Sequence, residues 1–80
     1  MQKINTGNYK LYKDQTGIAN TKTLISEHNS RDEIIQVYNE IQKDLSWCYF
    51  CEEEVFYRGT MFDENGNPVD TKPGWVRMHI

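Results

Sequence analysis

The sequence has few of the residues and patterns on which specialised chemistry or membrane life depends. None of its apolar runs approaches the roughly 18 residues that a membrane-crossing helix needs, and the opening MQKINTGNYK lacks the apolar core of a secretion signal. The chain therefore reads as cytoplasmic. It contains two cysteines, two histidines and two prolines among 80 residues. Two thiols so close together, Cys48 and Cys51, would close only a strained loop if oxidised, and a reducing compartment keeps such a pair as thiols. No glycine-rich phosphate cradle, dinucleotide fingerprint or nucleophile elbow occurs, so nucleotide-cradling and serine-hydrolase chemistry have no motif to rest on.

Basic charge is also scarce. The formal charge is −3, and it is unevenly placed: up to Ser30 four lysines face only Asp14 and Glu27, whereas the remainder holds ten acidic against five basic side chains. An acidic chain without a local Lys/Arg cluster repels phosphate backbones, which argues against direct nucleic-acid binding and for a partner protein with a basic surface.

What is present is a single domain's worth of aromatic and β-branched residues, with five Tyr, three Phe and two Trp. Tyr9–Lys13 and Ile18–Ser26 read as strands of a hairpin turning at Asp14-Gln15-Thr16-Gly17, with Lys10, Lys13 and Lys22 on the solvent side. Ser30 followed by Asp32 and Glu33 is a capping box ahead of a helix. Ile34, Tyr38, Ile41 and Leu45 then recur at helical spacing, with Val37 beside them, which predicts an amphipathic helix from about Arg31 to Leu45. Cys48 and Cys51 read as small buried hydrophobes, Cys48 as the continuation of the stripe, while Trp47, Tyr49 and Phe50 fill the junction between helix and sheet. Val55–Phe62 and Trp75–Ile80 read as two further strands. The expected fold class is α+β, one domain over residues 1–80, with one helix on a four-stranded, mainly antiparallel sheet in the order ββαββ.

Several motifs invite chemistry and fail on spacing. Cys48-Tyr49-Phe50-Cys51 offers half of a zinc site, completed only by the unpaired His28 and His79, and its Trp-Cys string superficially matches a thiol-redox motif. The redox motif needs a strand before it and a helix after it, but here a helix precedes and Glu52, Glu53 and Glu54 follow. Asp63-Glu64-Asn65-Gly66-Asn67 imitates the start of a calcium loop, then places Pro68 where glycine belongs and Gly74 where a bidentate glutamate belongs, so it reads as a turn. His28 reads as an exposed loop residue, and His79 lies in a poor position for a catalytic base.

Three consecutive glutamates in a strand cannot share one face, so either Glu53 or the pair Glu52 and Glu54 points inward unless a bulge frees them. Glu52, Glu53, Glu54, Asp63 and Glu64, rimmed by Phe56, Tyr57 and Trp75, are the candidate partner-binding residues. Reversing the charge of the three glutamates should then abolish binding and leave the fold intact. The function this implies is a non-enzymatic binding module, an inhibitor that occludes a partner protein. In size and character, though in no motif, it is similar to small acidic inhibitors encoded by phages and mobile elements, anti-CRISPR proteins among them. Two other readings stand beside it: a homo-oligomer binding an anionic, nucleotide-like ligand through Lys10, Lys13, Lys22, Arg58 and Arg77, and a small structural zinc protein. No cofactor is expected.

Overall fold

The computed structural model describes residues 2–59 and 61–80. Seven elements follow in chain order: β1 (Gln2–Gln15), β2 (Thr23–His28), α1 (Arg31–Glu40), β3 (Trp47–Arg58), β4 (Met61–Phe62), β5 (Pro68–Val69) and β6 (Gly74–Arg77). The fold is α+β, with a four-stranded antiparallel sheet in the spatial order β2-β1-β3-β6 and one helix. The expected ββαββ order is incomplete, because β4 and β5 form a separate two-stranded hairpin between β3 and β6.

Two long strands form the spine. β1 and β3 pair from Gln2↔Arg58 to Gln15↔Trp47, so the polar segment before Tyr9, which has little strand character of its own, becomes strand by pairing with an aromatic neighbour. The register slips once. Between Asn5↔Val55 and Tyr9↔Glu53, β1 spends Thr6, Gly7 and Asn8 opposite Glu54 alone. Gly7 takes a φ of +89° there, a region that costs an L-residue energy and suits glycine. Because β1 gains two residues over β3, the alternation of faces is preserved on both sides of the bulge.

The first hairpin forms, but with a longer loop than the sequence suggests: β2 starts at Thr23, and Ile18 lies in the loop. The Ile18 amide donates to the Gln15 carbonyl at 3.2 Å, Gly17 takes a φ of +77°, and the Thr21 hydroxyl donates to the Asp14 carboxylate. A bulge in β2 falls between the pairs Leu11↔Ser26 and Tyr12↔Leu24.

α1 starts where its cap predicts and ends early. Ser30 Oγ accepts from the Glu33 amide at 3.3 Å, while the Glu33 side chain turns to His28 and leaves the reciprocal half of the box unused. The helix closes at Glu40, with Ile41 already extended at ψ 147°. Beyond it Asp44 Oδ1 accepts from the Ser46 amide at 2.8 Å, and the Trp47 amide donates to the Asp44 carbonyl at 3.1 Å. This side-chain turn competes with helix continuation, and pairing of Gln15 with Trp47 draws the following residues into the sheet. Leu45, expected on the buried stripe, is fully exposed.

One face of the sheet carries the core. Tyr9, Leu11, Cys51 and Met78 close around Ile34 of α1, with Ile35, Val37, Tyr38 and Ile41 partly buried beside them. Cys51 is buried in the core, as expected of both cysteines, whereas Cys48, expected to continue the helix stripe, is exposed in β3. Trp47, Tyr49 and Phe50 are strand residues and not a helix–sheet junction. No helix among the described residues is long and apolar enough to cross a membrane.

Candidate functional site

Alternation along β3 decides the fate of the three glutamates. Glu53 shares the helix-side face with Cys51 and Val55, whereas Glu52 and Glu54 project from the opposite, open face. All three are engaged within the chain. Glu53, the one buried acid among the described residues at 9% exposure, accepts from Asn5 Nδ2 at 2.8 Å and Lys3 Nζ at 3.2 Å, with the Arg31 guanidinium 4.0 Å away. Glu54 accepts from Thr6 Oγ1 at 2.7 Å and Asn8 Nδ2 at 3.0 Å. Those hydrogen bonds, that from Asn8 first, hold its carboxyl below the usual carboxylate range. Glu52 pairs with Lys22 Nζ at 2.8 Å, and this bond raises the pKa of the ammonium. Glu53 and Glu54 thus clasp the β1 bulge from its two sides. Because these contacts hold the bulge, reversing the charge of the two glutamates is expected to disturb the fold as well as any binding.

The aromatic candidates separate as well. Phe56 and Trp75 lie on the open face, while Tyr57 lies with Glu53 on the helix side. On the open face Tyr12 and Phe50 stack with centroids 5.6 Å apart. Lys10 Nζ sits 4.3 Å from the Trp75 ring centre, Lys22 Nζ 4.3 Å from Tyr12, and the Arg77 guanidinium 4.7 Å from Phe50. This order follows from the register, since the pairs Lys10↔Glu52, Tyr12↔Phe50, Glu52↔Arg77 and Glu54↔Trp75 all fall on one side.

Asp63 and Glu64 sit at the tip of the β4–β5 hairpin. Asp63 Oδ1 accepts from the amides of Asn65 and Asn67, each at 2.9 Å, and Gly66 takes a φ of +79°. The segment is a side-chain-organised turn, as its composition predicts. Hydrogen bonds anchor the hairpin to the end of β3: the Tyr57 amide donates to Thr71 Oγ1 at 2.8 Å, the Thr71 amide to the Tyr57 carbonyl at 3.0 Å, and the Gly59 amide to Asp70 Oδ1 at 3.0 Å. Its apolar residues face solvent, with Phe62 70%, Met61 56% and Val69 38% exposed. From Gly59 to Thr71 the sequence holds Asp63, Glu64 and Asp70 and no basic side chain. Met61 pairs with Val69 and Phe62 with Pro68, so the two faces of the hairpin each expose apolar side chains; this exposure was not singled out from the sequence, where Met61 and Phe62 read as the end of a strand.

The alternative chemistries lose their geometry. Cys48 and Cys51 stand on opposite faces of β3, so they cannot close on one metal ion or reach one another as a redox pair. Burial pushes the Cys51 thiol up to about 11. Among the described residues no group of three or more His, Cys, Asp and Glu side chains is arranged to hold a metal. Lys10 and Lys22 are paired with Glu27 and Glu52, Lys13 lies on the other face against Trp47, and Arg58 is at the far end of β3. The five cations named for an anionic ligand do not converge.

His28 is a half-buried bridge and not a loop residue. Its Nδ1 lies 2.6 Å from Glu33 Oε1 and its Nε2 3.0 Å from Ser26 Oγ. The order Ser–His–Glu is that of a nucleophile relay, but such a relay needs a cleft beside the hydroxyl. The neighbouring groove of about 270 Å³, between Lys10, Glu27 and Trp75, is lined by His28 and not by Ser26. The bridge ties the end of β2 to the first turn of α1.

Comparison with known proteins yields no match: no family model, no curated protein and no solved structure matches this chain.

Proposed function

We propose that this protein is a non-enzymatic binding module that docks on another protein through the β4–β5 hairpin and occludes the surface beneath it. The observation that carries this reading is the exposure of Phe62, Met61 and Val69 on a projecting hairpin whose only charges are carboxylates. Desolvation of an aromatic anchor supplies affinity, and acid at its rim accelerates encounter with a basic partner surface. Of the residues anticipated from the sequence, Asp63 and Glu64 keep the partner-facing role. Glu52, Glu53 and Glu54 support the fold, and the loop between β3 and β6 carries the contact.

A photo-crosslinking residue at position 62 tests the reading in cells that contain the partner. One saturable adduct is expected, competed by excess wild-type protein and not by a Phe62→Ser/Glu64→Lys variant. Loss of such an anchor typically weakens binding by about 2 kcal/mol or more, roughly thirtyfold. The absence of a saturable adduct, or equal competition by the variant, overturns the proposal.

A further inference from the structure

The molecule is thin and its sheet is half covered. Ten residues of α1 extend about 15 Å, whereas the 14 residues of β1 extend roughly 45 Å along the sheet. The helix touches β1, β2 and β3 on one side. The opposite side has no covering element among the described residues, and the principal dimensions are 52 × 29 × 16 Å. The radius of gyration is 15.9 Å, against about 12 Å for a compact chain of this length. The accessible surface is 5800 Å², against roughly 5,000 Å² for a compact monomer of this mass. The excess is close to the ~800 Å² that each partner loses in an interface of standard size.

Charge selects the occupant. At the centre of the open face Lys10, Lys22 and Arg77 alternate with Glu27, Glu52 and Glu54, and Arg58 and Asp14 balance each other at its two ends. The face is neutral, so the net charge of −3 resides elsewhere. A one-signed face would repel its own copy across a two-fold axis, and a strongly basic partner would find no attraction here. A face of alternating sign with aromatic rings between the charges satisfies both copies at once, since an isologous interface must be self-complementary.

We infer that the open face of the sheet is the interface of a homodimer, two sheets packed face to face with Tyr12, Phe50 and Trp75 at the centre and the helices outside. Sheets in this arrangement pack about 10 Å apart, and each copy supplies the second layer that the other lacks. The hairpin of each subunit projects from the end of its sheet and remains outside the interface.

Sedimentation velocity between 1 and 500 μM, with thermal melts over the same range, tests the inference. A dimer at tens of micromolar and a melting temperature that rises with concentration are expected. Leu24→Asp and Phe50→Asp are both expected to shift the species to monomer at least tenfold higher in concentration, with circular dichroism unchanged. Leu24 is 45% exposed beside Tyr12, so its variant keeps the monomer fold even if Phe50→Asp does not. A wild-type chain monomeric at 500 μM overturns the inference. So does a dimer that survives Leu24→Asp, which would indicate pairing through a sheet edge.

Discussion

Single residues show how alternation in a strand converts a run of like side chains into unlike roles. Cys48 and Cys51 are chemically identical in sequence, yet one is exposed and the other 1% exposed in the core. Iodoacetamide at pH 8 is expected to label Cys48 alone in the native protein, with Cys51 labelled only after denaturation. A mass shift of two adducts under native conditions would mean that Cys51 is accessible. Glu53 and Leu45 make the complementary comparison. Glu53→Ala strips the partner from Asn5 and Lys3 beside the core and should cost about 1–3 kcal/mol, whereas Leu45→Ala removes a side chain that contacts solvent alone and should change stability by less than about 0.5 kcal/mol. Urea titrations of the two variants check both numbers. The larger loss falling on Leu45 would place the helix end incorrectly.

Secondary-structure elements were legible where their signals were local. The start of α1 follows from Ser30 and the acids after it, and the turn at Asp63–Asn67 follows from its composition. The end of α1 was not, because the periodicity of Ile41 and Leu45 is a local cue overruled by a distant one, the pairing of β3 with β1. The β4–β5 hairpin was hidden for a related reason: a two-residue strand has no periodicity to read, and the strand signal of β3 runs up to it. Among the described residues the hydrogen bonds that join the hairpin to the sheet run through Tyr57, Gly59, Asp70 and Thr71, and the hairpin shares no residue with the core cluster. Replacing residues 61–69 by a short Gly-Ser turn is therefore expected to lower the melting temperature by only a few degrees, equivalent to about 1 kcal/mol or less, while removing the proposed docking contact. A collapse of the far-ultraviolet circular dichroism in that variant would show that the hairpin is required for folding.

At the scale of the whole molecule, the balance between core and surface sets the behaviour. The buried apolar set is Tyr9, Leu11, Ile34, Cys51, Val55 and Met78, a small core for a sheet whose long strands run most of its length. Small domains bury only about 60% of their unfolded surface and are correspondingly marginal. In the proposed dimer a paired open face would relieve that shortage for the sheet, and the hairpin would stay outside it, so the proposed self-association and the proposed docking use different parts of the chain. The acidic half inferred from composition is divided in the same way: Glu52, Glu53 and Glu54 act inside the fold, and Asp63 and Glu64 act at its edge.

By itself the sequence determined the α+β class, the hairpin at the start, the helix cap and the turn at Asp63, because each depends on residues within a few positions of one another. Only the tertiary structure decided which face each glutamate and cysteine takes, where the helix stops, and that an aromatic, charge-balanced sheet face lies open opposite the core. Those outcomes depend on the register between β1 and β3, whose paired residues are up to 56 positions apart in the chain, as Gln2 and Arg58 are. A slip of one residue in that register would exchange every inward side chain for an outward one.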